Sequence, residues 1–217
     1  MKKYTHIVWD FNGTILDDVG ICIECVNTLL RRRSMPTVDS LEKYHSVFGF
    51  PITEYYKKLG FDFEKEPFSE IAIEWVNEYN ARRRTATTCK GVIGMLGYFR
   101  TLGIPQLIIS ATEVNMLRDQ IDELGVGEYF DELIGLDNIH AGSKKHLAEQ
   151  WIAAHPTAKV LFIGDTDHDY EVAGAMGADC ILVAQGHQSF EYLSNICSDT
   201  VSDISQIIPL ITNNSEV

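Results

Sequence analysis

The sequence predicts an α/β fold, a parallel-sheet core with a small helical module inserted after the first strand. Three apolar runs stop abruptly at polar residues: THIVWD at Asp10, PQLIIS at Ser110 and AKVLFIGD at Asp165. Unalternating runs of this kind suit strands buried on both faces, and helical patterns of about 10–15 residues follow them, the grammar of βαβ units. Roughly 95 residues separate the first run from the second, far more than one crossover helix uses, so something is inserted there.

The elements follow in order. After the first strand, helices are expected over Asp17 to Arg33, about Val38 to Phe48, from near Thr53 to before Gly60, and Pro67 to about Arg83. Pro36, Gly49 with Pro51, Gly60 and Pro67 punctuate them. The expected division is a core of residues 1–16 and 87–217 around a helical module of residues 17–86. In KGVIGMLGYFRTLGI the apolar positions 92, 93, 95, 96 and 99 are placed on one helical face, with Gly103 ending the helix. PQLIIS is followed by a helix opening at ATEVNML, SKKHLAEQWIA is a further helix, and DCILVA adds a fourth strand. No repeat or low-complexity tract interrupts the pattern, and only the closing NNSEV reads as frayed.

With 217 residues the chain accommodates one core domain and an appendage. Its 45% hydrophobic and 23% charged residues are those of a globular protein, and no window approaches the ~18 apolar residues of a membrane span. The start, MKKYTHIVWDFNGT, does not read as a signal peptide. Five cysteines, an odd number lying in apolar stretches, favour reduced thiols and a cytoplasmic setting. A net charge of -13 opposes nucleic-acid binding. Oligomeric state is not readable from these features.

In open parallel sheets the ligand crevice lies outside the carboxyl ends of the strands, where Asp10, Ser110 and Asp165 converge. Asp10 opens a turn, Phe11-Asn12-Gly13-Thr14, whose N-H groups can hold an anion. The cluster Gly164-Asp165-Thr166-Asp167-His168-Asp169 brings a second carboxylate against Asp10, and two such anions tolerate one another by sharing a cation, for which an oxygen-rich set suits Mg2+. Ser110 offers a hydroxyl, and Lys144 or Lys145 the positive charge that a phosphoryl group demands.

WDFNGT, LIIS, the helix-opening lysine and FIGDTDHD together resemble, in order, the four motifs of the haloacid dehalogenase superfamily. The resemblance covers essentially the whole chain and implies a Rossmann-like core with a helical cap between the first and second motifs. FGFPITEYYKKLG and LVAQGHQSFEYL resemble phosphoglycolate-phosphatase-type members more softly. The resemblance implies that Asp10 is nucleophile and Mg2+ ligand, that the backbone carbonyl of Asn12 and the side chain of Asp165 are further ligands, and that Asp169 supports the metal shell. It also implies that Ser110 and the N-H of Ala111 hold phosphoryl oxygens of a small phosphorylated metabolite, with Lys144, or by one position Lys145, neutralising charge.

The family's first motif normally has a second aspartate, which protonates the leaving group; here it is Asn12. An amide transfers no proton near neutral pH, and general acid-base catalysis contributes about 10²- to 10⁴-fold, or ~3–5 kcal/mol of barrier. The expectations are a substrate with a good leaving group, a slow phosphatase, or a regulatory protein that binds phosphate compounds without turnover. The phosphonate-cleaving and dehalogenase variants rank lower, because Lys57 and Lys58 do not stand in the first pattern and the acidic GDTDHD cluster is foreign to the second.

The plainer readings weigh as follows. Asp10, Asp165 and Ser110 taken singly are ordinary helix or turn caps; together and in order they are a site. Cys22 and Cys25 have redox-pair spacing but share one helical face, which favours packing. Arg31-Arg32-Arg33 and Arg82-Arg83-Arg84 close two helices, where cations complement the dipole, with an arginine reaching a substrate carboxylate as the sharper alternative. His45, Tyr55 and Tyr56 are candidates for specificity, with packing the commoner role.

Overall fold

In the computed structural model, which describes residues 4–137 and 143–213, β1 (His6–Trp9) runs through the centre of a six-stranded sheet. Its neighbours are β4 (Gln106–Glu113) and β6 (Val160–Gly164), with Ile7 registered against both Gln106 and Leu161. Beyond β4 lies β5 (Glu132–Leu136); beyond β6 lie β7 (Asp179–Val183) and β8 (Thr200–Val201). Every pairing in this sheet is parallel. Both faces are covered, which explains the unalternating runs.

Ile7, Trp9, Ile108, Leu161 and Ile163 pack on one side with α5 (Val92–Thr101), α6 (Val114–Leu124) and α10 (Ile207–Asn213). Val8, Leu107, Ile109, Phe162 and Leu182 pack on the other with α7 (Lys145–Ala154) and α8 (Asp167–Met176). Each fully buried side chain of this size contributes about 1.5–3 kcal/mol. On α5 the buried face is Val92, Met95, Leu96 and Phe99, whereas Ile93 is 41% exposed. A step of one residue turns the helix by about 100°, which carries position 93 off the face expected to include it.

Between β1 and α5 the chain forms a short stem and four α-helices. The stem pairs β2 (Leu16–Asp17) antiparallel with β3 (Thr87–Thr88). The helices are α1 (Val19–Arg32), α2 (Leu41–Val47), α3 (Ile52–Lys58) and α4 (Phe68–Arg82); α1, α2 and α4 are slightly shorter than their sequence patterns, and α3 opens one residue before Thr53. They have a core of their own, including Val26, Leu29, Leu30, Tyr44, Tyr55, Tyr56 and Ile71. A buried amide closes the turn after α1: Asn27 donates to the Val38 carbonyl at 2.8 Å and accepts from the Val38 N-H at 2.7 Å. α9 (Phe190–Ser194) completes the α-helices of the described residues. Among the described residues no helix is long and apolar enough to cross a membrane. The frayed end expected at residues 213–217 lies, from residue 214 onward, outside the described residues.

One expectation near the site is corrected. β4 does not stop at Ser110 but runs to Glu113, and α6 starts at Val114 rather than at Ala111. Glu113, not Ser110, caps α6, accepting from the N-H groups of Asn115 and Met116. The ladder to β5 shifts register between Ile109 and Glu113, so residues 110–112 leave the regular pairing at the site.

Candidate active site

Asp10 leaves β1 and Asp165 leaves β6 on adjacent strands, which brings together carboxylates 155 residues apart in sequence. Asp169 joins them from the first turn of α8, and the oxygens of all three lie within 4.8 Å of one another. Asp169 is held there by a capping box: its Oδ2 accepts from the N-H of Asp165 at 3.1 Å, the N-H of Thr166 at 2.9 Å and the Thr166 hydroxyl at 2.7 Å. Its other oxygen faces the Lys144 ammonium at 2.6 Å, and the same ammonium contacts Asp10. Lys144 is 3% exposed, whereas Lys145 beside it is exposed, so the adjacent lysines have different environments.

The electrostatics follow from one lysine opposing three buried carboxylates. Burial, reinforced by the charge of Asp169, raises the Asp10 pKa against the pull of Lys144. Burial also pushes Asp165 well up, with Asp10 and Asp169 adding to it and His187 opposing. At Asp169 burial is outweighed by Lys144 and the hydrogen bonds from Thr166, which hold its carboxyl low. For Lys144 burial favours the neutral amine, but Asp10 and Asp169 outweigh it and raise its pKa. The cluster is short of positive charge, and its all-oxygen donor set fits a hard divalent cation.

Two glycines make room for this arrangement. Gly13, with φ 78°, lies against the Asp165 carboxylate and the His187 ring, where a Cβ would collide with both. A Cβ at Gly186 would strike the same carboxylate. Thr14 donates to Asp165 Oδ1 at 3.0 Å, and the N-H of His187 donates to Oδ2 at 2.7 Å. Ser110, 1% exposed, accepts from the Thr112 N-H at 3.0 Å, and Ala111 beside it is exposed.

Asn12 enters a network that sequence reasoning missed. Its Nδ2 donates to Asp18 Oδ2 at 2.8 Å and to the Tyr79 hydroxyl at 3.2 Å, and its Oδ1 accepts from the Thr112 hydroxyl at 2.7 Å. Asp18 is 1% exposed and also accepts from Tyr79 at 2.9 Å, with His187 Nε2 3.3 Å from its Oδ1. Burial opposes ionisation of Asp18, but His187, Asn12 and Tyr79 outweigh it and hold its carboxyl below the usual range. Burial likewise opposes the charged imidazole, yet Asp18, Asp165 and Asp10 lift His187 to about 9. His187 also meets the helical segment: its Nδ1 lies 2.8 Å from the Tyr44 hydroxyl and its ring stacks on Phe48 at 5.0 Å. The doublet Asp17-Asp18 and the stretch containing His187 were visible signals, but neither spacing relates one to the other.

The other candidates settle elsewhere. His45 Nε2 lies 3.1 Å from the Gly186 carbonyl, bridging helical segment and core, while Tyr55 and Tyr56 are buried in the helical core. Arg31 pairs with Glu24, Arg32 with Glu74 and Glu78, Arg33 with Glu66 and Glu74, Arg82 with Glu78, and Arg83 and Arg84 with Glu123. Lys57 pairs with Glu54 on the surface. Cys22 and Cys25 pack with Tyr79, and all five cysteines are free thiols.

This fold and site define a haloacid dehalogenase-like hydrolase, the family whose sequence profile matches residues 7–183 and to which the chain belongs. The chain is similar to the phosphoglycolate phosphatase of Pseudomonas syringae pv. tomato, at 23% identity over 190 residues, covering 83% of this chain and 70% of that one. The tyrosine-protein kinase PtkA of Mycobacterium tuberculosis is 21% identical over 205 residues, covering 93% of this chain and 69% of that one. A haloacid dehalogenase-like hydrolase from Streptococcus pneumoniae superimposes with a TM-score of 0.81 at 19% identity, covering 97% of this chain and 100% of that one.

Proposed function

We propose that the chain is a Mg2+-dependent phosphatase of a small phosphorylated metabolite, acting in the cytoplasm through an aspartyl-phosphate on Asp10. The observation that carries this reading is the buried Lys144 ammonium held between Asp10 and Asp169, beside Asp165. Asp10, Asp165 and the backbone carbonyl of Asn12 would hold the metal, with Asp169 as its support. When bound, Mg2+ neutralises charge on phosphoryl oxygens and on the nucleophile.

This chain's own residues do the rest. Lys144 keeps Asp10 ionised and oriented, and balances charge as a phosphoryl group approaches. Ser110 and the N-H of Ala111 bind non-bridging oxygens. Asp10 then attacks phosphorus, the leaving oxygen departs, and water later releases phosphate from the carboxylate. Residues 17–86 act as the cap, whose contacts at Tyr44, His45 and Phe48 with the Gly186-His187 loop exclude solvent. The free cysteines support a reducing setting, and the charge of -13 favours a small substrate over a nucleic acid.

Asn12 shapes the substrate preference, because its amide gives no proton to the departing oxygen. Acyl and aryl phosphates, whose leaving groups need none, are the favoured class. The relatives' name points to a small phosphorylated acid, but the arginines that could clamp a substrate carboxylate are engaged by glutamates. A panel of acyl, aryl and alkyl phosphates, assayed with Mg2+ and with chelator, tests the reading. Metal-dependent phosphate release, fastest with the acyl and aryl members, is expected; inactivity across the panel would sink it.

A further inference from the structure

Away from the carboxylates, at the opposite end of β7 from the His187 loop, the surface opens into a pocket of about 320 Å³. Cys180, the second residue of β7, and Cys197, just after α9, both line it, together with Tyr170, Gly174, Asp179 and Asp199. Cys197 Sγ lies 3.5 Å from the Cys180 carbonyl oxygen. We propose that Cys180 and Cys197 form a thiol-disulfide exchange site that takes a small cationic disulfide through this pocket.

The pair differs from the other cysteines in setting. Cys22, Cys25 and Cys89 lie among α1, α4 and the stem, and burial raises all three thiols, Cys25 to about 11. Cys197 moves the other way, to about 7: the neighbouring Cys180 thiol is the main cause, burial opposes it, and the N-H groups of Asp199 and Leu182 assist. Cys180 is raised in turn, first by that same partner and then by burial. Both thiols line one pocket that opens to solvent, and Cys197 Sγ reaches the Cys180 backbone, so that one can attack and the other resolve. Asp179 and Asp199 at the rim favour an oxidant with amino groups over an anionic one.

The exchange balances in two steps. The Cys197 thiolate attacks one sulfur of the small disulfide, whose S-S bond breaks and releases one thiolate, which takes up a proton. The Cys180 sulfur then attacks Cys197 Sγ, passing its proton to the second departing thiolate. Two protein thiols are oxidised, and one small disulfide becomes two thiols. The resulting bond closes residues 181–196 into a loop that includes Gly186 and His187, so oxidation ties the base of the segment that holds Asp165.

Cystamine is the probe. Full-length protein incubated with it and mapped by mass spectrometry after alkylation should lose two hydrogens, carry a Cys180-Cys197 bond, retain three alkylatable thiols and revert with dithiothreitol. Cys180→Ser should stop at a cysteamine adduct on Cys197, and Cys197→Ser should leave Cys180 unmodified, circular dichroism confirming that each variant is folded. The wild-type experiment stands without either variant. A wild type that keeps five thiols, holds a lasting cysteamine adduct, or is oxidised first at Cys22, Cys25 or Cys89 overturns the proposal.

Discussion

The nitrogen of Asn12 donates to Asp18 and Tyr79, and its oxygen accepts from Thr112, so both ends of the amide are matched to their neighbours. A carboxylate at this position would set two anions across what is now a 2.8 Å hydrogen bond to Asp18. Restoring the family's usual aspartate therefore requires more than one substitution. Asn12→Asp alone is expected to lose about 1–3 kcal/mol of stability, from like charges and a broken, part-buried hydrogen bond. The double variant Asn12→Asp with Asp18→Asn removes the like-charge pair but also the carboxylate that faces His187; it should hydrolyse an alkyl phosphate about 10²- to 10⁴-fold faster than wild type while staying less stable than wild type. Urea unfolding and steady-state rates on one alkyl and one acyl phosphate measure both effects. A single Asn12→Asp variant as stable as wild type and fully accelerated would refute this account of the pair. Asp10, Lys144, Asp165 and Asp169 were legible because each sits at a strand end or helix start, and Ser110 because the apolar run of β4 stops there although the strand goes on. Asp18, Tyr79, Thr112 and His187 were not, because they meet only once the inserted helices dock on the core.

Among the elements, the inserted helices were legible because Pro36, Pro51, Gly60 and Pro67 mark their limits. The stem strands were not: two-residue strands such as Leu16–Asp17 and Thr87–Thr88 are too short to show a period. β5 and β8, at the sheet edges, were hidden for a related reason, since an edge strand such as Glu132–Leu136 is only partly buried and lacks a long apolar run. β4 was read as ending early because polar Thr112 and Glu113 follow Ser110, although the strand continues through them into the site. The helical segment depends on specific polar contacts as well as on its core. Asn27 satisfies both backbone groups of Val38, and Asn27→Ala would leave a buried N-H and a buried carbonyl without their partner. A loss of about 2–4 kcal/mol is expected from the two groups together. Urea denaturation checks it, and a change below about 0.5 kcal/mol would show that this amide does not hold the turn after α1.

At the scale of the whole molecule, the parallel sheet explains why residues far apart in sequence share one site. β1 and β6 are adjacent, and their carboxyl ends deliver Asp10 and Asp165 side by side, while α7 and α8 bring Lys144 and Asp169 to the same place. The helical segment reaches that end of the sheet through Tyr44, His45 and Phe48. In the mechanism proposed above, this convergence makes Asp10 a nucleophile toward phosphorus. The most direct measurement is phosphate release from acetyl phosphate by wild type and Asp10→Asn at saturating Mg2+, after circular dichroism has shown both to be folded. Loss of about 10³-fold or more in the variant is predicted; a variant rate within about twofold of wild type would contradict the claim.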